Sequence, residues 1–141
     1  WSIYRVTSGG VDRGSNIDRN LQFARDIGIL PESYWPRSKG WRKTPPSGWE
    51  EIAAKYRIHE WYDLTTVEEV GTCLLLGYPC VVGWSGHSEV IVDLLPGGIG
   101  LVVNSWSPDW GDNGRHKVAL RKINWGYGAF SIKSVVDRRN L

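Results

Sequence analysis

Five short apolar runs fill the second half of the chain: "PCVVGW" at 79–84, "SEVIVDLL" at 88–95, "IGLVVNSW" at 99–106, "HKVALRKI" at 116–123 and "AFSIKSVV" at 129–136. Each is six to eight residues long, and Gly, Pro or Asp separates it from the next. Runs so short and closely spaced leave room for tight turns only, which predicts antiparallel strands. The first half reads differently. Ser15 stands as a cap before a helix reaching Ile27, with Ile17, Leu21, Ala24 and Ile27 on one face and Gly28 as its stop. "SGWE" at 47–50 has capping-box spacing and predicts a short helix over 48–56. "RIHEWYDL" at 57–64 alternates as a half-buried strand does, and Thr65 or Thr66 opens a third helix that Gly77 closes. Helices first and antiparallel strands after is the α+β pattern.

Between these elements, 30–46 is rich in Pro, Ser, Gly and basic residues and predicts an irregular connection; the opening "WSIYRVTSGGVDRGS" reads as an apolar start running into a Gly-rich loop. At 141 residues with a net charge of +2, the chain suits one domain and lacks the basic surface of a nucleic-acid binder. No apolar run approaches the length of a membrane span, and no secretory leader opens the sequence. The absence of Met implies that Trp1 falls inside a longer product, and 9 Trp suggest an aromatic core or an aromatic-lined cleft. Cys73 sits in a helical pattern and Cys80 in an apolar strand, so both read as buried free thiols. With His87 they make only three potential ligands across a helix-to-strand change, so no metal is expected, and no cofactor either.

Two residues invite chemistry. His87, in "VVGWSGHSEVIV", stands between two apolar strands just after a Gly, and Asn104 stands at the end of the next strand. If these strands are neighbours, the two side chains meet. An imidazole then serves as general base while a side-chain oxygen fixes its tautomer and ring orientation. The plainer reading, two unrelated polar residues at strand ends, remains open on spacing alone. His59 and His116 read as surface or packing residues. "GWSGH" at 83–87 is close to a nucleophile elbow, but His87 replaces the last Gly.

"GHSEV" followed one strand later by "NSWSPDWGDNG" at 104–114 resembles the papain-like cysteine peptidase family, in which the catalytic His opens a strand in a "GHAV"-like context and the orienting Asn begins an "NSWG…WG…G" motif. "SGGVDRGSNIDRNLQFARDIGILPESYWP" at 8–36 is similar to that family's Gly-Gly loop, helix and "E..YP" series. "TVEEVGTCLLLGYPCVVGW" at 66–84 is similar to its helix and strand before the His, and "GYGAFSIKSV" at 126–135 to its closing strand. The resemblance implies an α+β papain-like fold, mainly its antiparallel His/Asn half with short helices. The 141 residues would form a single domain incomplete at its N-terminus, with the Gly-Gly loop and helices in 1–56 and a helix plus the sheet in 57–141.

Carried over residue by residue, the resemblance implies His87 as base, Asn104 as its orienting partner and Trp106 as a shield over their hydrogen bond. Trp110 would line the leaving-group side, Gly9 and Gly10 would offer backbone groups to an extended peptide, and Ser88 would border a substrate pocket. The short link between "PCVVGW" and His87 implies a trimmed cleft. The family's nucleophile lies upstream of the Gly-Gly loop. Here eight residues precede Gly9 and none is Cys, while Cys73 and Cys80 lie in the wrong place. The expected function is therefore thiol peptidase action on a peptide or protein substrate, with the Cys on an upstream segment or separate chain; these residues alone would be inactive. Two alternatives stand beside it: a non-catalytic peptidase-like module in a larger assembly, and a cell-wall amidase or endopeptidase of the wider Cys–His superfamily. A companion chain or segment is expected over the face that carries His87 and Asn104, with neither nucleic acid nor membrane as partner. Few cysteines and no leader suit an intracellular or virion setting more than a secreted one.

Overall fold

A computed structural model describes residues 2–40, 42–84, 86–123 and 126–130. The chain divides into two compact units, Trp1–Glu60 with Phe130–Leu141, and Trp61–Ala129.

Among the described residues, the first unit carries three α-helices. Helix α1 covers Ser2–Thr7, where the sequence suggested only an apolar start to a loop. Helix α2 runs Ile17–Asp26, and its N-cap is Asn16, whose side chain accepts a hydrogen bond from the Arg19 N–H. The expected cap, Ser15, instead bonds through its hydroxyl to Thr7 and Asn20, so the cap shifts one residue along. Helix α3 covers Trp49–Ala53. Its N-cap, Gly48, has a left-handed backbone and no side-chain bond, so the capping box expected at 47–50 does not form. Leu21, Phe23, Ala24, Leu30 and Ala53 are among the buried apolar residues of this unit, and the Phe23 ring stacks on Trp49 with centroids 6.0 Å apart. Residues 30–40 and 42–46 form turns and irregular backbone with one short 3-10 segment at Arg37–Lys39, as their composition predicts.

Strand β1, Glu60–Leu64, leads into the second unit. Helix α4, Val67–Leu75, starts with the capping box its sequence predicts: Thr66 Oγ1 accepts from the Glu69 N–H, and the Glu69 carboxylate accepts from the Thr66 N–H. Gly77, at φ 83°, follows its end. Strands β2 (Cys80–Trp84), β3 (His87–Leu95), β4 (Ile99–Val103), β5 (Arg115–Ala119) and β6 (Gly126–Phe130) complete a six-stranded sheet in the order β1-β6-β2-β3-β4-β5. The pairs β6-β2, β2-β3, β3-β4 and β4-β5 are antiparallel. Only the start of "AFSIKSVV" falls in β6; 131–136 lie outside the described residues.

Register decides what faces the core. Cys80 pairs with Ile91 and Val82 with Glu89 across β2-β3, and Ile91 pairs with Val102 across β3-β4. Directly opposed residues share a face, so Cys80, Val82, Ile91 and Val102 line one side, and each has no exposed surface. Helix α4 covers this apolar patch through Val70, which approaches Gly126 beside Val82, while Leu120 closes over Gly100. Between Ile91 and Asp93 the register shifts by one residue, a bulge that leaves Val92 unpaired.

Candidate active site

One end of that same sheet face is polar. His87 and Glu89 precede Ile91 at two-residue intervals on β3, so all three side chains project to one side. Val90 pairs with Val103, which puts the flanking residues Glu89 and Asn104 on that side too, and His116 joins them by pairing with Val102. The alternation that builds the apolar core thus also gathers two imidazoles, a carboxyl and an amide.

His87 Nε2 and Asn104 Oδ1 are 3.0 Å apart. The backbone N–H of Trp106 also points at Asn104 Oδ1, at 3.2 Å. A backbone N–H can only donate, so this amide atom must be the oxygen, and the hydrogen facing it must belong to His87. In the neutral ring the hydrogen therefore sits on Nε2 and the lone pair on Nδ1, the form a base needs. Asn104 is 8% exposed, and among the described residues its buried Nδ2 has no hydrogen-bond partner. An amide nitrogen buried in this way costs about 1–3 kcal/mol.

The "NSWSPDWGDNG" loop that carries Asn104 is folded tightly on itself. Asn104 N–H bonds to the Gly114 carbonyl, Gly114 N–H to that of Trp110, and Asp112 N–H to that of Arg115. Ser107 Oγ accepts from the Asp109 N–H. Gly111, at φ 60°, leaves no space for a side chain, because a Cβ there would run into the Arg115 carbonyl. Two indoles stand out from this frame. The Trp106 ring lies 4.8 Å from the His87 ring at 31°, and Trp110 meets Trp106 edge-on at 5.3 Å. Trp106 covers one side of the imidazole while remaining 60% exposed itself.

Ser88 is exposed and projects to the opposite face of β3 from His87. Gly9 and Gly10 belong to the helical unit, where their N–H groups bond to the Val6 and Arg5 carbonyls at the end of α1. Two further residues of the polar end escape a reading by motif. His116 Nε2 lies 3.2 and 3.1 Å from the two carboxylate oxygens of Glu89, a side chain only 4% exposed. The signal was a charged residue at an inward position of an alternating strand, between His87 and Ile91. Cys73 and Cys80 are free and buried, and burial together with the neighbouring Cys73 pushes the Cys80 thiol up to about 12.

No protein-family profile and no curated protein matches the sequence. Solved structures do resemble it. Xylellain, a cysteine protease from Xylella fastidiosa, matches with a TM-score of 0.79 at 17% identity over 93% of this chain and 69% of its own. A digestive procathepsin L 3 of Tenebrio molitor larval midgut matches with a TM-score of 0.69 at 13% identity over 92% of this chain and 54% of its own. A procathepsin B from Trypanosoma congolense matches with a TM-score of 0.61 at 16% identity over 94% of this chain and 65% of its own. At such identity the likeness is one of fold, and the chain spans roughly half to two thirds of the lengths it matches.

Proposed function

From a chain with the α+β fold of papain-like cysteine proteases, we propose the His/Asn half of a thiol peptidase, in which His87 is the base, Asn104 its orienting partner and the nucleophilic Cys lies on an upstream segment or a separate chain. The observation that carries this reading is the His87–Asn104 hydrogen bond, with the amide oxygen fixed by the Trp106 N–H. In the reaction, His87 Nδ1 takes the thiol proton and the thiolate attacks the peptide carbonyl carbon. As the C–N bond breaks, His87 returns that proton to the leaving amine. Water, deprotonated by the same nitrogen, then opens the acyl-enzyme and regenerates the thiol. Positioned proton transfer of this kind contributes roughly 10²–10⁴-fold.

Neither cysteine of the chain suits the role of nucleophile. A catalytic thiol needs a lowered pKa and access to substrate, whereas Cys80 is fully buried with its thiol pushed up to about 12, and Cys73 is buried on α4. The same observation supports a second reading, a peptidase-like module that binds or scaffolds without turnover. An epoxide thiol-protease probe applied to the native full-length protein separates the two. The peptidase reading expects covalent labelling at a Cys upstream of these residues, abolished by His87→Ala. Absence of labelling, with no Cys encoded upstream, sinks the peptidase and leaves the module.

A further inference from the structure

The mechanism above makes no use of Glu89 and His116, yet their pairing is costly to build. A carboxyl removed from water must recover its lost hydrogen bonds from the protein, and Glu89 occupies a position whose cross-strand partner, Val82, has no exposed surface. His116 meets it from β5, and its ring in turn meets Trp110 edge-on at 5.2 Å and 85°. Trp110 meets Trp106 edge-on at 5.3 Å, and Trp106 lies 4.8 Å from His87. Perpendicular ring pairs at such distances are the attractive geometry of aromatic edges and faces. The contacts therefore run from Glu89 through His116, Trp110 and Trp106 to His87, which stands two residues from Glu89 on the same strand.

We infer that Glu89 and His116 are positioning residues for His87. The buried carboxyl anchors the His116 ring; that ring and Trp106 hold Trp110 between them; and Trp106, so held, keeps the His87 imidazole in line with Asn104. Without this support, Trp106 has one large exposed face and a flexible indole torsion, and the imidazole it covers loses its restraint on that side. The inference rests on the reading of His87 as the base.

The test reads the hydrogen itself. The His87 Nε2–H proton, shared with Asn104, is observable by NMR, and its exchange with water reports how firmly the pair is held whether or not the protein hydrolyses anything. Failure of the peptidase reading appears as absent probe labelling and leaves this measurement intact. In His116→Ala we expect exchange at least tenfold faster, with the β3-β4 amide signals retained. Trp110→Leu breaks the same series of contacts while leaving the Glu89 and His116 side chains in place, and gives the same result if His116→Ala does not fold. The double variant Glu89→Leu/His116→Phe keeps an aromatic edge on Trp110 while removing the buried carboxyl together with its partner, and returns exchange to within twofold of the parent. Unchanged exchange in a folded single variant, or no recovery in the double, overturns the inference.

Discussion

The side-chain oxygen of Asn104 lies 3.0 Å from Nε2 of His87, and the hydrogen between them belongs to the histidine. The same oxygen holds the Trp106 N–H, so one atom sets both the tautomer of the ring and the start of the loop that covers it. In the full-length protein, Asn104→Ala is expected to lower kcat/KM on a peptide substrate by about 10²-fold, within the range of positioned proton transfer. The loss should fall mainly on kcat, because Asn104 sets proton transfer rather than substrate contact. An effect below twofold would remove Asn104 from the mechanism.

The core behind the site makes a separate demand. A Cβ at Gly100 would lie 2.9 Å from Ile91 Cγ2 and 3.0 Å from Leu120 Cδ2. Gly100→Ala should therefore cost about 1–3 kcal/mol by overpacking, and Ile91→Ala about 2–5 kcal/mol by leaving a cavity. In the double variant the new methyl enters the space that Ile91 vacates, so the two losses should sum to more than the measured one. Urea unfolding of the three variants checks this; strict additivity would contradict the close approach.

Alkaline pH should unfold the protein through Cys80. Burial, reinforced by Cys73, raises its thiol from 9.0 to about 12. The folded state then holds a proton that the unfolded state releases, so the stability involved is fully present below pH 9 and is lost as pH rises from 9 towards 12. Denaturation midpoints across that window should fall less steeply in Cys80→Ala than in the parent. Equal slopes would mean that Cys80 titrates normally.

Helix α4 depends on its first turn. Thr66 and Glu69 satisfy each other's backbone N–H groups, and Thr66→Ala should cost about 0.5–2 kcal/mol. The Glu69 carboxylate is held below its ordinary value by the N–H groups of Thr65 and then Thr66. Its contribution is thus present above pH 4.5 and is lost as pH falls through the depressed value. Glu69→Gln should flatten the acid limb of the stability curve, measured by thermal melting between pH 3 and 6.

The strands and α4 were legible because their signals are local: alternation, Gly and Pro punctuation, and a Thr-x-x-Glu cap at Thr66. Helix α1 was not, since Ser2–Thr7 carries no acidic residue in its first turn and its sequence mixes β-branched with polar residues. The cap of α2 was misplaced by one residue because Ser15 and Asn16 are both good caps locally. Asn16 takes the role because the Ser15 hydroxyl is drawn to Thr7 and Asn20. At the candidate site, His87 and Asn104 could be paired from a motif, whereas Glu89 and His116 meet from β3 and β5 with β4 between them. Their approach follows from sheet order and register, which no single run of residues encodes.

The bulge at Val92 bears on how the chain can change length. Before it, Ile91 faces the core opposite Val102; after it, Leu94 faces the core opposite Gly100, and the odd spacing between Ile91 and Leu94 is absorbed by the unpaired residue. Deleting Val92 would restore an unbroken ladder with every side chain on its present side. Deleting Val90 would shift His87 and Glu89 to the outer face while leaving Ile91 in place. The strand therefore has one position at which it can be shortened without turning its polar end inside out, and insertions or losses between His87 and Ile91 are the ones it cannot absorb.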